Sequence, residues 1–157
     1  MAGLRQVFGD LCHADVTTYV QSGNVVFRSP QKPKPLISAL EARIAKDLKV
    51  NVTVLVRTRD ELGTIVENNP FVGRVPDETK LHVTFLTDRP TAGSVADDFG
   101  QPDEFHIQGR EVYLHCPGGY GTTKLNNALW ERKLGTPATT RNWKTVNKLL
   151  EMAGAIA

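Results

Sequence analysis

Cysteine is scarce in this chain. Its 157 residues hold two, Cys12 and Cys116, far apart and in no C-x-x-C pair. Such spacing gives neither a zinc thiolate pair nor a redox dithiol. The N-terminus, MAGLRQVFGDL, lacks the apolar core of a signal peptide. A cytosolic protein with two reduced, buried thiols is therefore expected, rather than a disulfide-stapled secreted one. Long hydrophobic runs are missing too. None approaches the roughly 18 residues a membrane helix requires, so no membrane contact is expected.

Two further absences narrow the chemistry. The four histidines, His13, His82, His106 and His115, show no H-x-x-x-H spacing, and no metal site is expected. There is no G-x-S-x-G elbow. His115 adjoins Cys116, but neighbours on a strand project from opposite faces and cannot form a nucleophile–base pair. No cofactor is expected either.

Net charge is small, +2 over the whole chain, and it hides an asymmetry. Residues 77–111 carry eight acids against three bases, while residues 118–150 carry six bases against one acid, Glu131. A basic segment of this kind attracts an anion, pairs with the acidic segment, or is simply solvated. All three readings stand at this point.

What the chain does contain is a regular succession of elements. With 40% hydrophobic and 23% charged residues, its composition is that of a folded domain. Leu4, Val7, Phe8 and Leu11 recur at helical spacing. Val16–Val20 and Val25–Phe27 read as strands around a turn at Gln21-Ser22-Gly23-Asn24. Pro30, Pro33 and Pro35 predict a stiff connection outside any helix interior. Leu36, Leu40, Ile44 and Leu48 predict an amphipathic helix, and the alternating Val50, Val52, Val54 and Val56 a strand. Thr58-Arg59-Asp60-Glu61 has the form of a capping box, opening a helix that Asn68-Asn69-Pro70 ends.

Leu81, Val83 and Phe85 then alternate as a strand, and Ala92–Phe99 reads as a weak helix. A hairpin follows, with Phe105 and Ile107 on one arm, Val112, Leu114 and Cys116 on the other, and Gly109-Arg110 at its tip. Leu125, Ala128 and Leu129 mark a helix ending at Gly135, and Trp143, Val146, Leu149, Leu150 and Ala153 mark the last one. The predicted fold is α+β. It has two ferredoxin-like (βαββαβ) subdomains, residues 1–69 and 70–157, the first lacking its opening strand and the second carrying a C-terminal helix.

Two stretches carry candidate chemistry. Gly118-Gly119-Tyr120-Gly121-Thr122-Thr123-Lys124 joins a strand to a helix. Glycines let backbone N–H groups turn toward a ligand, and a helix N-terminus adds donors and a positive dipole end. Gly119, Gly121, Thr123 and Lys124 are thus candidates for an anion site. The bland alternative is a tight turn capped by Thr122 or Thr123. The second stretch is ATTRNWKT, Ala138–Thr145. Thr140 or Asn142 suits a helix N-cap, and Trp143 is in phase with Val146 and Leu150 as a core residue. Arg141 sits badly beside a helix N-terminus unless something negative is there. That group would be a carboxylate from residues 77–111 or a bound anion.

The stretches TYVQSGNVVF, LHVTFL, GREVYLHCPGGYGTTKL and ERKLGTPATTRNWKTVNKL together resemble the bacterial family called domain of unknown function 1697. The resemblance runs over nearly the whole chain. It implies an α+β protein of ferredoxin-like units with no assigned activity. It also implies recurrent polar positions at Gln21, Ser22, Gly23 and Asn24, at Gly121 and Lys124, at Glu131 and Arg132, and at Thr139, Thr140, Arg141, Asn142 and Trp143. Family members usually begin with a strand and a glycine loop ahead of the first helix. Here the first strand is not present, so an upstream segment, a partner chain in a homo-oligomer, or a rearranged sheet is expected to take its place.

The function expected is binding of an anionic, phosphate-bearing molecule or a nucleic acid. Gly119, Gly121, Thr123, Lys124, Arg132, Thr139, Thr140, Arg141 and Asn142 are the candidate contacts. One alternative is an enzyme acting on a small phosphorylated substrate, with Glu131 as acid or base. Another is that these motifs only hold the fold together.

Overall fold

The computed structural model describes residues 14–19, 24–29, 32–49, 52–90 and 100–155. The expected helix over Leu4–Leu11, the turn residues 21–23, the weak helix Ala92–Phe99, and Cys12 lie outside the described residues. The chain divides into two compact units, residues 1–62 with 148–157, and residues 63–147.

In the first unit, β1 (Ala14–Tyr19) and β2 (Asn24–Arg28) pair antiparallel, with Thr17 opposite Val26 and Tyr19 opposite Asn24. Helix α1 (Pro33–Leu48) follows. The proline reading is corrected here. Pro33 stands at the first helical position, where its missing N–H is no loss and its fixed φ suits a helix. Leu36, Leu40 and Ile44 are buried, and the stripe runs out at the exposed Leu48. Val25, Phe27, Val54 and Val56 pack against Leu36 and Leu40.

One predicted element, the strand over Val50–Val56, is not formed over its described part, residues 52–56. Residues 52–58 have no ladder pairing among the described residues, although their valines alternate. The cause is visible at Val54, whose N–H donates to the Glu41 carboxylate of α1 at 3.0 Å while its side chain joins the α1 core. At this position the backbone donor is satisfied by a helix side chain instead of a strand. Helix α2 (Arg59–Glu67) then opens on the predicted capping box. Thr58 N–H donates to Glu61 Oε1 at 2.9 Å, and Glu61 N–H to Thr58 Oγ1 at 3.1 Å.

The second unit is built on a four-stranded antiparallel sheet. Its strands are β3 (Leu81–Leu86), β4 (Glu104–Gln108), β5 (Glu111–His115) and β6 (Ala138–Asn142), in the order β4-β5-β3-β6. Gly109, with φ of 60°, turns the β4–β5 hairpin. Register sorts the side chains into two faces. Thr84 lies opposite Val112 and Thr140, so these share one face with Leu86, Leu114 and Ala138. Helix α3 (Asn127–Leu134) covers that face, burying Leu129, Trp130 and Leu134 against Leu86, Val112, Leu114 and Cys116. Phe105 meets the Trp130 ring edge-on at 5.2 Å. The other face carries Val83, Tyr113 and Arg141. There the Tyr113 hydroxyl donates to the Ile65 carbonyl at 2.8 Å.

Strand β6 is an element the sequence patterning does not show. Five residues with four of them polar give no apolar alternation, and the segment reads as the approach to a helix. Its backbone pairing with β3 decides otherwise. Helix α4 (Trp143–Ala155) starts directly after it, with Trp143 and Val146 buried. Among the described residues, no helix is long and apolar enough to cross a membrane.

Candidate functional site

The glycine loop begins where β5 ends. The Gly119 N–H donates to the Cys116 carbonyl at 2.9 Å, closing a turn, and Gly119 has φ of 97°, a conformation glycine adopts freely. Tyr120–Thr122 form one 3-10 turn, and Thr123 N–H returns to the Tyr120 carbonyl at 3.2 Å. Gly118 and Gly121 have no such backbone requirement, and a Cβ on either would meet nothing within 4 Å. Gly121 and Lys124 are exposed.

Thr123 is the loop's anchor. Its side chain is buried, its hydroxyl donates to the Asp103 carboxylate at 2.5 Å, and the same oxygen accepts the Leu125 N–H at 3.1 Å. Asp103 is itself buried. Beside them the Cys116 thiol is pushed up to about 11, first by burial and further by the Asp103 carboxylate, with the Thr123 contact pulling the other way. At neutral pH it is a protonated, inert thiol.

The loop does not run straight into a helix as predicted. Leu125 is fully buried, which carries the chain across the core before the helix can start. The cap is Asn126, whose Oδ1 accepts the Leu129 N–H at 3.0 Å, and not Thr122 or Thr123. Gly135 ends the helix as expected, with φ of 71° and its N–H on the Glu131 carbonyl at 3.0 Å.

The Thr-Thr-Arg-Asn cluster is dealt out by strand alternation. Thr140 faces α3. Its hydroxyl donates to Asn127 Oδ1 at 2.6 Å and lies 2.7 Å from the fully buried Thr84 hydroxyl. Thr140 has one proton, so Thr84 is the donor in the second bond. Thr139 and Arg141 belong to the opposite face. The Arg141 guanidinium folds back along its own strand, donating to Thr139 Oγ1 at 2.8 Å and to the Thr140 carbonyl at 3.0 Å. Burial lowers its pKa. Asn142 caps α4 through the Thr145 N–H at 2.8 Å, and Trp143 is a core residue. Glu131 is exposed, and its carboxylate accepts the Ala138 N–H at 3.2 Å, tying the end of α3 to the start of β6. Arg132 is exposed on α3.

The structure therefore brings Gly119, Gly121, Thr123 and Lys124 into one loop, and sets Thr139 and Arg141 on another face of the sheet. Two neighbours of that loop escape a reading by motif. His82 of β3 lies under Tyr120 with ring centroids 4.9 Å apart, and its Nδ1 is buried with no hydrogen-bond partner. Asn127 is held by Thr140, and only the Asn126-Asn127 doublet could have marked it. Among the described residues, no three His, Cys, Asp or Glu side chains are grouped to hold a metal.

The family model described as "Protein of unknown function (DUF1697)" matches residues 1–113. The chain is similar to a solved structure, that of conserved bacterial protein SP0830 from Streptococcus pneumoniae. The two share 19% sequence identity at a TM-score of 0.68, over 98% of this chain and 88% of that one. At this identity the likeness shows the fold alone. No curated protein matches the chain.

Proposed function

We propose, for a chain that belongs to the family of proteins of unknown function DUF1697, that it binds an anionic, phosphate-bearing ligand at the loop Gly118–Lys124. The ligand is a small molecule or a nucleic acid. The observation that carries the reading is the open space around Gly118 and Gly121. Neither glycine is demanded by backbone conformation or by packing, and both leave the loop's backbone approachable beside the exposed Lys124. Lys124 supplies the charge, and Gly119 and Gly121 border the ligand. Thr123 holds the loop through Asp103, and the Thr139–Asn142 cluster contributes by fixing β6 and the start of α4. Arg132 adds positive charge on the following helix. The succession of β3, the β4–β5 hairpin, α3 and β6 is read as a ferredoxin-like unit in a cytosolic bacterial protein.

Titrations followed by amide NMR test this, using inorganic phosphate and a short single-stranded oligonucleotide. The expected result is movement of the Gly119–Lys124 amides. Lys124→Ala should weaken binding about tenfold, near 1.4 kcal/mol. Oligonucleotide affinity should fall steeply with added salt. Loop amides that ignore both ligands would remove the reading.

A purely structural role for these motifs is the second reading. The bonds that occupy Thr123, Thr140, Asn142 and Glu131 within the protein favour it. On that reading, Gly121→Ala leaves every measurable property unchanged. On the binding reading it weakens phosphate or oligonucleotide binding at unchanged stability. An enzyme using Glu131 as base is less well supported, because that carboxylate already accepts the Ala138 N–H.

A further inference from the structure

His82 is a titratable group beside the glycine loop that the ligand reading leaves unused. It sits on the central strand β3, opposite Leu114 of β5 and Asn142 of β6, on the face that α3 covers. Tyr120 of the glycine loop lies against its ring at 4.9 Å with a tilt of 37°. Its Nδ1 is buried and unpaired.

The loop's attachments are unevenly distributed. It is fastened at one end by Gly119 N–H on the Cys116 carbonyl, and at the other by Thr123 on Asp103. Between those anchors, the ring contact of Tyr120 with His82 is the loop's link to the sheet that the described contacts provide. A Cβ added to the neighbouring Gly121 would meet nothing within 4 Å.

A neutral imidazole tolerates this seat, with one nitrogen short of a partner. A protonated one does not. Both nitrogens become donors and the ring carries a charge, so the buried Nδ1 needs an acceptor or water. The groups facing it offer little help. Leu114 and Asn142 are uncharged, and Tyr120 is a phenol. The Lys80 carbonyl, which also accepts the Cys116 N–H at 3.0 Å, draws a proton toward the ring, but burial outweighs it and the Lys80 ammonium repels a second positive charge. Among the described residues, no carboxylate acts on the ring.

We infer that His82 is a proton-operated latch on the glycine loop. The neutral ring seats Tyr120 and keeps the Gly118–Thr122 stretch closed on the sheet. The protonated ring turns toward water and unseats it. Burial lowers the His82 pKa below its ordinary value of 6.5, with the Lys80 carbonyl opposing and the Lys80 charge assisting. The sign follows by linkage. The unfolded or unlatched state binds the proton more readily, so the closed form is fully favoured above about pH 6.5 and loses ground as pH falls below that value.

The test is a histidine-ring and amide NMR titration of the full chain from pH 8 to 5, without ligand. The expected result is a His82 midpoint below 6.5, shared by the Tyr120 ring signals and the Gly121 amide. The core Trp130 indole should stay unmoved, which separates loop release from unfolding. In Tyr120→Ala the His82 midpoint should rise toward 6.5, because its cover is gone. In His82→Phe the loop signals should lose their pH dependence over this range. A His82 midpoint at or above 6.5, or loop signals that do not follow it, would overturn the inference. If the His82 variant fails to fold, wild type and Tyr120→Ala are enough to decide between these outcomes. The outcome is independent of whether phosphate or an oligonucleotide binds.

Discussion

Replacing Thr123 by valine separates two roles for the glycine loop. The two side chains have nearly the same shape, so the change removes a hydroxyl and little else. In the wild-type chain that hydroxyl donates to the buried Asp103 carboxylate and accepts the Leu125 N–H. A hydrogen bond to a charged group is worth about 1.5–3 kcal/mol, and the lost backbone bond adds about 1 kcal/mol. Thr123→Val should therefore cost about 3 kcal/mol. For a chain of 157 residues that is a fall of about 6–12 °C in Tm. Thr123→Ser keeps the hydroxyl and should recover most of the loss. The assay is thermal and urea unfolding followed by circular dichroism, on both variants. A Thr123→Val protein within about 0.5 kcal/mol of wild type would refute the anchoring argument. Thr123 would then be free to serve a ligand, as its place beside the glycines suggests.

Other expectations rest on single contacts. Gly135→Ala should destabilise by about 1 kcal/mol in urea unfolding, from left-handed strain alone, since no atom lies near the added methyl. Thr58→Ala should cost about 1 kcal/mol in the same assay, through loss of the Glu61 cap. The Tyr113 phenol is pushed up to about 12, chiefly by burial and then by Glu111, so its proton is held more tightly in the folded state. Its contribution to stability should be complete below about pH 10 and fade between pH 10 and about 12, read by ultraviolet titration of phenolate. In a Cys12→Ser background, Cys116 should react with a thiol reagent only as the protein unfolds, because it is buried and its thiol titrates at about 11.

The helices were legible because their signals are local. The capping box at Thr58 and the glycine after Leu134 each act within a few residues, and both form as their spacing predicts. The sheet was harder. Val52, Val54 and Val56 alternate like a strand, yet alternation reports only which side chains want burial. Whether a ladder forms depends on a partner, and here a helix carboxylate takes the Val54 N–H. Strand β6 fails in the opposite direction. Nothing in Ala-Thr-Thr-Arg-Asn alternates in polarity, and the segment becomes a strand because β3 offers it a free edge. The candidate site suffers from the same non-locality. Asp103 lies twenty positions from Thr123, and Thr84 lies fifty-six from Thr140, so no motif could show that these hydroxyls were already engaged. Arg141 reads as a cation in need of an anion. Two of its donors go to its own strand, a local arrangement that the residue types alone do not announce.

The hydroxyl chain from Thr84 through Thr140 to Asn127 has a consequence for how β6 finds its place. A slip of one residue would turn Thr139 and Arg141 toward the α3 core, and the guanidinium alone forbids it. A slip of two residues is the harder error to exclude, since every side chain keeps its face. Then Ala138 or Asn142 would stand opposite Thr84. With alanine there, a buried hydroxyl and an asparagine carbonyl would lose their bonds together. With asparagine there, the cap of α4 would be pulled into the sheet. The three polar side chains work as a key with one setting, and they choose a register between alternatives that hydrophobic burial leaves equal.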